Sequence, residues 1–293
     1  MTYERSPRIS TARSFRQEPQ YGQPAVGPEY YPFGGPEPEG APEPKGPRRS
    51  GRLKSRLRYY WQDDGPVVTA AITVACLLVW LVELYGYYLN PRFYESLLTH
   101  AAFIPALSAR MPWMYVTSMF LHATNVTHIL FNMLTLWAVG PVLERMVGHW
   151  RYLALYLLSG IGGGLGMLVS AAIRPEGWMV SAVGASGAIF GLFAAVLVLY
   201  RRLGTDIRSM LVFVAINLAM PLFVSGIAWQ DHVGGFIVGG LFTLLLVSGL
   251  GLLRGKSLNT RMWISGLVLL LVIIATALFC YRGNPINGMA LPF

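Results

Sequence analysis

The sequence predicts an all-α protein that crosses a membrane several times. Two observations predict it. Of 293 residues, 54% are hydrophobic and only 13% are charged, against about 25% charged in ordinary soluble domains. Several apolar runs also approach the roughly 20 residues that carry a helix across a bilayer.

The net charge is +9. The bases sit beside the apolar runs, as topology determinants do, so the charge argues for a bilayer partner and against nucleic acid. Cys76 and Cys280 lie within or at the edge of predicted spans. They make neither a disulfide framework nor a cysteine metal site, and no metal or organic cofactor is expected.

Taken in order, residues 1–60 read as a disordered cytoplasmic tail. Ten of the 19 prolines fall before residue 48, with few aliphatic residues, and such a segment cannot bury enough apolar surface to offset its ordering entropy. It does not show the basic start and apolar core of a signal peptide. The tail ends in Arg48, Arg49, Arg52, Lys54, Arg56 and Arg58, a stretch suited to fixing orientation and to touching anionic headgroups.

Seven spans follow, at about 67–89, 125–146, 151–173, 186–202, 208–226, 231–252 and 262–281. With the basic stretch inside, fourteen bases fall on the inner side and four (Arg92, Arg110, Arg174, Arg282) on the outer. The positive-inside rule then gives a cytoplasmic N-terminus and an outer C-terminus. The segment 90–124 is too polar and proline-broken to span. Its Trp113 and Tyr115 suit an interfacial position on the outer face. With no organelle-targeting leader recognised, the expected location is a bacterial plasma membrane.

This topology places chemistry at one depth. Spans two, four and six all run from outside to inside, so their first turns share the outer side. Span two carries His128 and Asn132 there, span four carries Ser186, and span six carries His232. Polar residues inside membranes are costly and usually functional. Ser186 lies in Gly184-Ala185-Ser186-Gly187, whose small residues permit a sharp turn and close approach of a substrate backbone. A helix N-terminus adds unpaired N–H groups and partial positive charge, which suit an oxyanion. Gly187 and Gly191, and equally Gly235 and Gly239, give spans four and six small faces on which helices pack closely. Such packing would bring Ser186 to His232, with the imidazole as general base and then acid. His128 and Asn132, four residues apart, share one helix face and can donate hydrogen bonds to an oxyanion. Phe190, one turn after Ser186, is placed to pack on the His232 ring.

Together these residues resemble the rhomboid family of intramembrane serine proteases. The resemblance rests on Gly184-Ala185-Ser186-Gly187, on His128-Ile-Leu-Phe-Asn132-Met133 followed by Gly140 and Glu144, and on His232-Val-Gly-Gly235 continuing to Gly239. It covers roughly residues 67–252. It implies a rhomboid-like bundle, with a six-span protease core over 61–255 and an added seventh span and short outer tail over 256–293. It further implies a Ser186–His232 dyad, oxyanion stabilisation by His128, Asn132 and the backbone at Ser186 and Gly187, and Phe190 packed on the histidine. Gly184, Gly235 and Gly239 support the site. The substrates would be transmembrane proteins that enter laterally; oligomeric state is not assigned.

The chain departs from the family pattern at three places. Asp231 replaces the alanine usual before the histidine, Trp113-Met114 replaces a Trp-Arg pair, and His122 stands one residue further from His128. Adjacent helix residues point about 100° apart, so Asp231 is expected to cap span six or face the surface rather than hold His232. Glu83, the other acid within a span, is expected to face the bundle and hydrogen-bond, without a catalytic role. Among rivals, a zinc protease wants His-Glu-x-x-His on one helix, and that string is absent. An aspartyl protease needs two opposed aspartates, and only Asp231 sits near the outer site. A transporter would show inverted repeats, and none is found. The remaining alternative is a rhomboid-like pseudoprotease that binds membrane clients without cleaving them.

Overall fold

The computed structural model describes residues 65–219, 226–248 and 253–287; the tail expected over 1–60 lies outside them. The described chain is helical, with one isolated antiparallel bridge between Phe103 and Ala182. In chain order the helices are α1 (Val67–Leu89), α2 (Pro91–Ala101), α3 (Pro105–Ser108), α4 (Met114–Thr117) and α5 (Val126–Val147). They continue with α6 (His149–Ile173), α7 (Ser186–Leu203), α8 (Arg208–Ala219), α9 (Trp229–Ser248) and α10 (Leu258–Cys280).

Six of these, α1, α5, α6, α7, α9 and α10, are long and apolar enough to cross a membrane, which makes this an all-α, multi-pass membrane bundle. The fifth expected span, 208–226, is described only as the 12-residue α8, and 220–225 lie outside the described residues. Three starts differ from the sequence reading by two residues or more; helix α6 begins at His149 rather than 151, directly after the turn at Gly148. Helix α10 begins at Leu258 rather than 262, because the Ser257 hydroxyl accepts from Thr260 N at 3.2 Å, a serine N-cap. Helix α9 begins at Trp229 rather than 231, so Asp231 lies inside its first turn.

A carboxylate supplies what the start of α1 lacks. Position Pro66 gives that helix no side-chain cap, and a helix start leaves its N–H groups unpaired. Buried Glu144 of α5 takes their place as acceptor. One oxygen accepts from Val68 N (2.7 Å), the other from Thr69 N (2.9 Å) and Thr69 Oγ1 (2.7 Å). His149 Nδ1 pairs with the first oxygen at 2.6 Å. Between Glu144 and His149 the chain turns at Gly148, whose φ of +84° favours glycine. We expect Glu144→Ala to destabilise the bundle by about 3 kcal/mol or more, since it strands several buried donors at once. A thermal unfolding curve in detergent checks this, and an unchanged midpoint would contradict it.

The core is the packing of α9 against α6 and α7. At each crossing, backbone meets backbone. Gly162 and Gly166 of α6 face Gly234, while Gly187 and Gly191 of α7 face Gly235 and Gly239. Small residues are what allow membrane helices to approach so closely.

The segment 90–124 folds into α2, α3 and α4 rather than an open loop, and it gathers other parts at one end of the bundle. Phe103 and Ala182 exchange backbone hydrogen bonds of 3.0 and 2.9 Å, and Gly184 N donates to Ser118 O at 2.9 Å. The end of α10 joins the same layer. The Tyr281 hydroxyl lies 2.8 Å from Ser108 Oγ and 3.0 Å from the Tyr115 hydroxyl, and Asn284 Nδ2 donates to Ala106 O at 2.8 Å. The backbone leading into α7 is thereby held on both sides.

Candidate active site

Ser186 is the first residue of α7, where the chain turns from that held segment into helix. The turn is made at Gly184, with φ +130°, a conformation that L side chains rarely adopt. Space is tight there as well, since a Cβ would stand 3.1 Å from His128 Nε2.

The close crossing of α7 and α9 sets His232 opposite the serine. His232 Nε2 lies 3.0 Å from Ser186 Oγ. The imidazole is buried and stacks on Phe190, with centroids 4.2 Å apart and planes 13° apart. Phe190 is thus where its spacing from Ser186 suggested. His232 Nδ1 is buried with no hydrogen-bond partner among the described residues. Among the described residues no carboxylate is hydrogen-bonded to this histidine, and its ring packs on that of Phe190.

His128 sits in the first turn of α5, whose start is capped by Asn125 Oδ1 accepting from His128 N at 2.8 Å. Ala123 N donates to His128 Nδ1 at 3.1 Å. A backbone N–H can only donate, so Nδ1 is the acceptor and the proton of the neutral ring is on Nε2. That Nε2 borders Gly184, so the ring presents a donor beside Ser186. Asn132 lies one turn on and is buried; its Nδ2 donates to His128 O at 2.9 Å. An amide nitrogen has two hydrogens, so one remains for another acceptor.

Gly187, expected from the sequence to help stabilise an oxyanion, lies against the Asp231 carboxylate, which a Cβ added at that glycine would overlap. Asp231 is itself a correction, being neither the cap residue of α9 nor a surface group. It is the third residue of the helix, with its carboxylate wedged between Gly163 of α6 and Gly187 of α7. Local spacing could not reveal this, because the space it fills is made by two glycines elsewhere in the chain.

Behind His128 lies His122, fully buried, with its ring centroid 5.4 Å from that of His128. The backbone N–H of His122 donates to Glu83 Oε2 at 2.9 Å, so Glu83 faces the bundle and hydrogen-bonds. Burial, and secondly the neighbouring His128, pushes the His122 imidazole down to about 4, which leaves it neutral at neutral pH. Among the described residues, no three His, Cys, Asp or Glu side chains converge as metal ligands, and both cysteines are free thiols.

Comparison with known proteins fits this geometry. The Rhomboid domain profile matches residues 109–249, which include all of the residues above from His122 onward. YdcA of Bacillus subtilis, which carries the rhomboid protease name, is 38% identical over 140 residues, covering 46% of this chain and 67% of YdcA. The chain belongs to the rhomboid family. Rhomboid protease GluP of the same organism is 31% identical over 222 residues, or 73% of this chain and 40% of GluP. Rhomboid protease AarA of Providencia stuartii is 31% identical over 159 residues, covering 46% of this chain and 56% of AarA. This rhomboid thus spans only part of the length of GluP and AarA.

Proposed function

We propose that the protein is an intramembrane serine endopeptidase acting on transmembrane protein substrates within the bilayer. The observation that carries this reading is the 3.0 Å contact between Ser186 Oγ and His232 Nε2 at the head of a membrane helix. Relatives that bear the rhomboid protease name support it.

In this mechanism His232 takes the Ser186 proton as the hydroxyl oxygen attacks the substrate carbonyl. Charge develops on the carbonyl oxygen, and His128 Nε2–H, the free Asn132 amide hydrogen and the first-turn backbone of α7 stabilise it. His232 then gives its proton to the leaving amine. Water attacks the acyl-enzyme, again with His232 as base, and Ser186 is released. The substrate helix enters from the side and unwinds to present its bond, a feature that comes from the family resemblance. The site faces the outer side of a plasma membrane, with the N-terminus in the cytoplasm and the C-terminus outside. The core is 61–255, and the final span is an addition to it.

Each donor carries its own expectation. We expect His128→Ala to lower kcat about 10²-fold, the usual cost of removing one oxyanion donor, with KM little changed because the interaction is made in the transition state. Steady-state kinetics would show this; a change confined to KM would remove His128 from the oxyanion hole.

The test of the proposal is cleavage of a reporter transmembrane substrate by the purified full chain in liposomes. Cleavage within or beside the membrane segment is expected. A folded wild type that binds the reporter and leaves it intact would replace this reading with that of a pseudoprotease.

A further inference from the structure

Asp231 stands beside the dyad without belonging to it. It precedes His232, yet its carboxylate turns away from that ring, whose Nδ1 finds no hydrogen-bond partner. It projects instead into the three-helix junction of α6, α7 and α9. A Cβ added at Gly163 or at Gly187 would overlap the carboxylate, so both glycines make room for it. Among the described residues no ion pair neutralises it. A partly buried carboxylate without a cation needs N–H donors or partial positive charge to offset its lost hydration. The start of α7 supplies the partial positive charge of a helix N-terminus. Its cap position, Ala185, offers no side-chain acceptor, and Gly187 in its first turn lies against the carboxylate. The carboxylate therefore stands at the N-terminal end of the helix that carries the nucleophile.

We propose that Asp231 is a positioning residue that ties the start of α7 to the start of α9 and thereby sets the distance between Ser186 and His232. This rests on the protease reading above. One consequence follows from the wedge. The glycines at 163 and 187 are required by Asp231, so their substitution and its own are coupled.

The experiment uses the purified full chain in liposomes with a reporter transmembrane substrate, alongside thermal unfolding of every variant. Asp231→Ala is expected to lower kcat about 10²-fold with KM little changed, the scale for misplacing reacting groups by about 1 Å. Asp231→Asn is expected to recover most of that rate, since the amide has nearly the carboxylate's shape and fills the same wedge. Gly163→Ala is expected to impair the enzyme, and adding Asp231→Ala to relieve part of the damage rather than compound it, because the overlap with the carboxylate is removed and only the backbone oxygen of residue 231, at 3.0 Å, remains close. Wild-type kcat in Asp231→Ala, an asparagine variant no better than alanine, or additive Gly163 and Asp231 effects would each overturn the proposal. If Asp231→Ala fails to fold, the asparagine variant and the kinetics of Gly163→Ala still decide it. A wild type that cleaves nothing would instead defeat the protease reading, so the two failures are read in different samples.

Discussion

Replacing Ser186 by alanine is expected to lower cleavage of a transmembrane reporter by about 10⁴-fold or more, and His232→Ala to do nearly the same. Residues that act as one nucleophilic unit each cost most of the activity when removed, and the losses do not add. In the proposed mechanism the pair is such a unit: Oγ and Nε2 are 3.0 Å apart, and His232 has no second hydrogen-bond partner among the described residues. The double variant should be no slower than the worse single variant. Folding should survive, because Ser186 gives α7 no side-chain cap. Rates that multiply in the double variant, or a serine variant with substantial activity, would mean that the two residues work separately.

The second large effect is on stability. Gly235→Ala is expected to destabilise the bundle by about 3 kcal/mol or more and to abolish activity in whatever folds. Alanine gains about 1 kcal/mol in helix propensity over glycine, which pulls the other way. The steric term wins because a Cβ at 235 would overlap the backbone carbonyl of Gly187 and stand 3.1 Å from that of Ser159. Flexible side chains yield to overpacking, whereas two helix backbones do so only by separating, which places the cost at or above the upper end of the usual range. Separation would also carry Ser186 away from His232. Gly266→Ala in α10 is the control: its nearest neighbour would be Leu158 Cδ1 at 3.7 Å, an ordinary contact, and it should be neutral or slightly stabilising. Equal midpoints for the two variants in thermal unfolding would contradict the backbone-crossing account.

The parts legible in the sequence are those in which one residue type at a fixed spacing has one physical use. Long apolar runs announced the six long helices, and the glycines of α7 and α9 announced a close crossing. Phe190, four residues after Ser186, had to lie on the same face. The illegible parts depend on partners far apart in the chain. Glu144 caps α1 across 75 and 76 residues, and nothing near Pro66 announces the missing cap. Asp231 was read against its neighbours, where capping or exposure is the natural result. Its pocket is made by Gly163 and Gly187, whose glycines look like plain packing residues. The segment 90–124 read as broken and interfacial; its short helices and the Phe103–Ala182 bridge depend on contacts that no local pattern encodes.

The central claim is that Ser186 is a nucleophile activated by His232. The most direct measurement is intact-mass analysis of the purified protein after reaction with a fluorophosphonate, followed by peptide mapping of the adduct. The account predicts one adduct, on Ser186, formed by the wild type and lost in His232→Ala. An adduct on another residue, or undiminished cleavage of the reporter after Ser186 is fully modified, would contradict it.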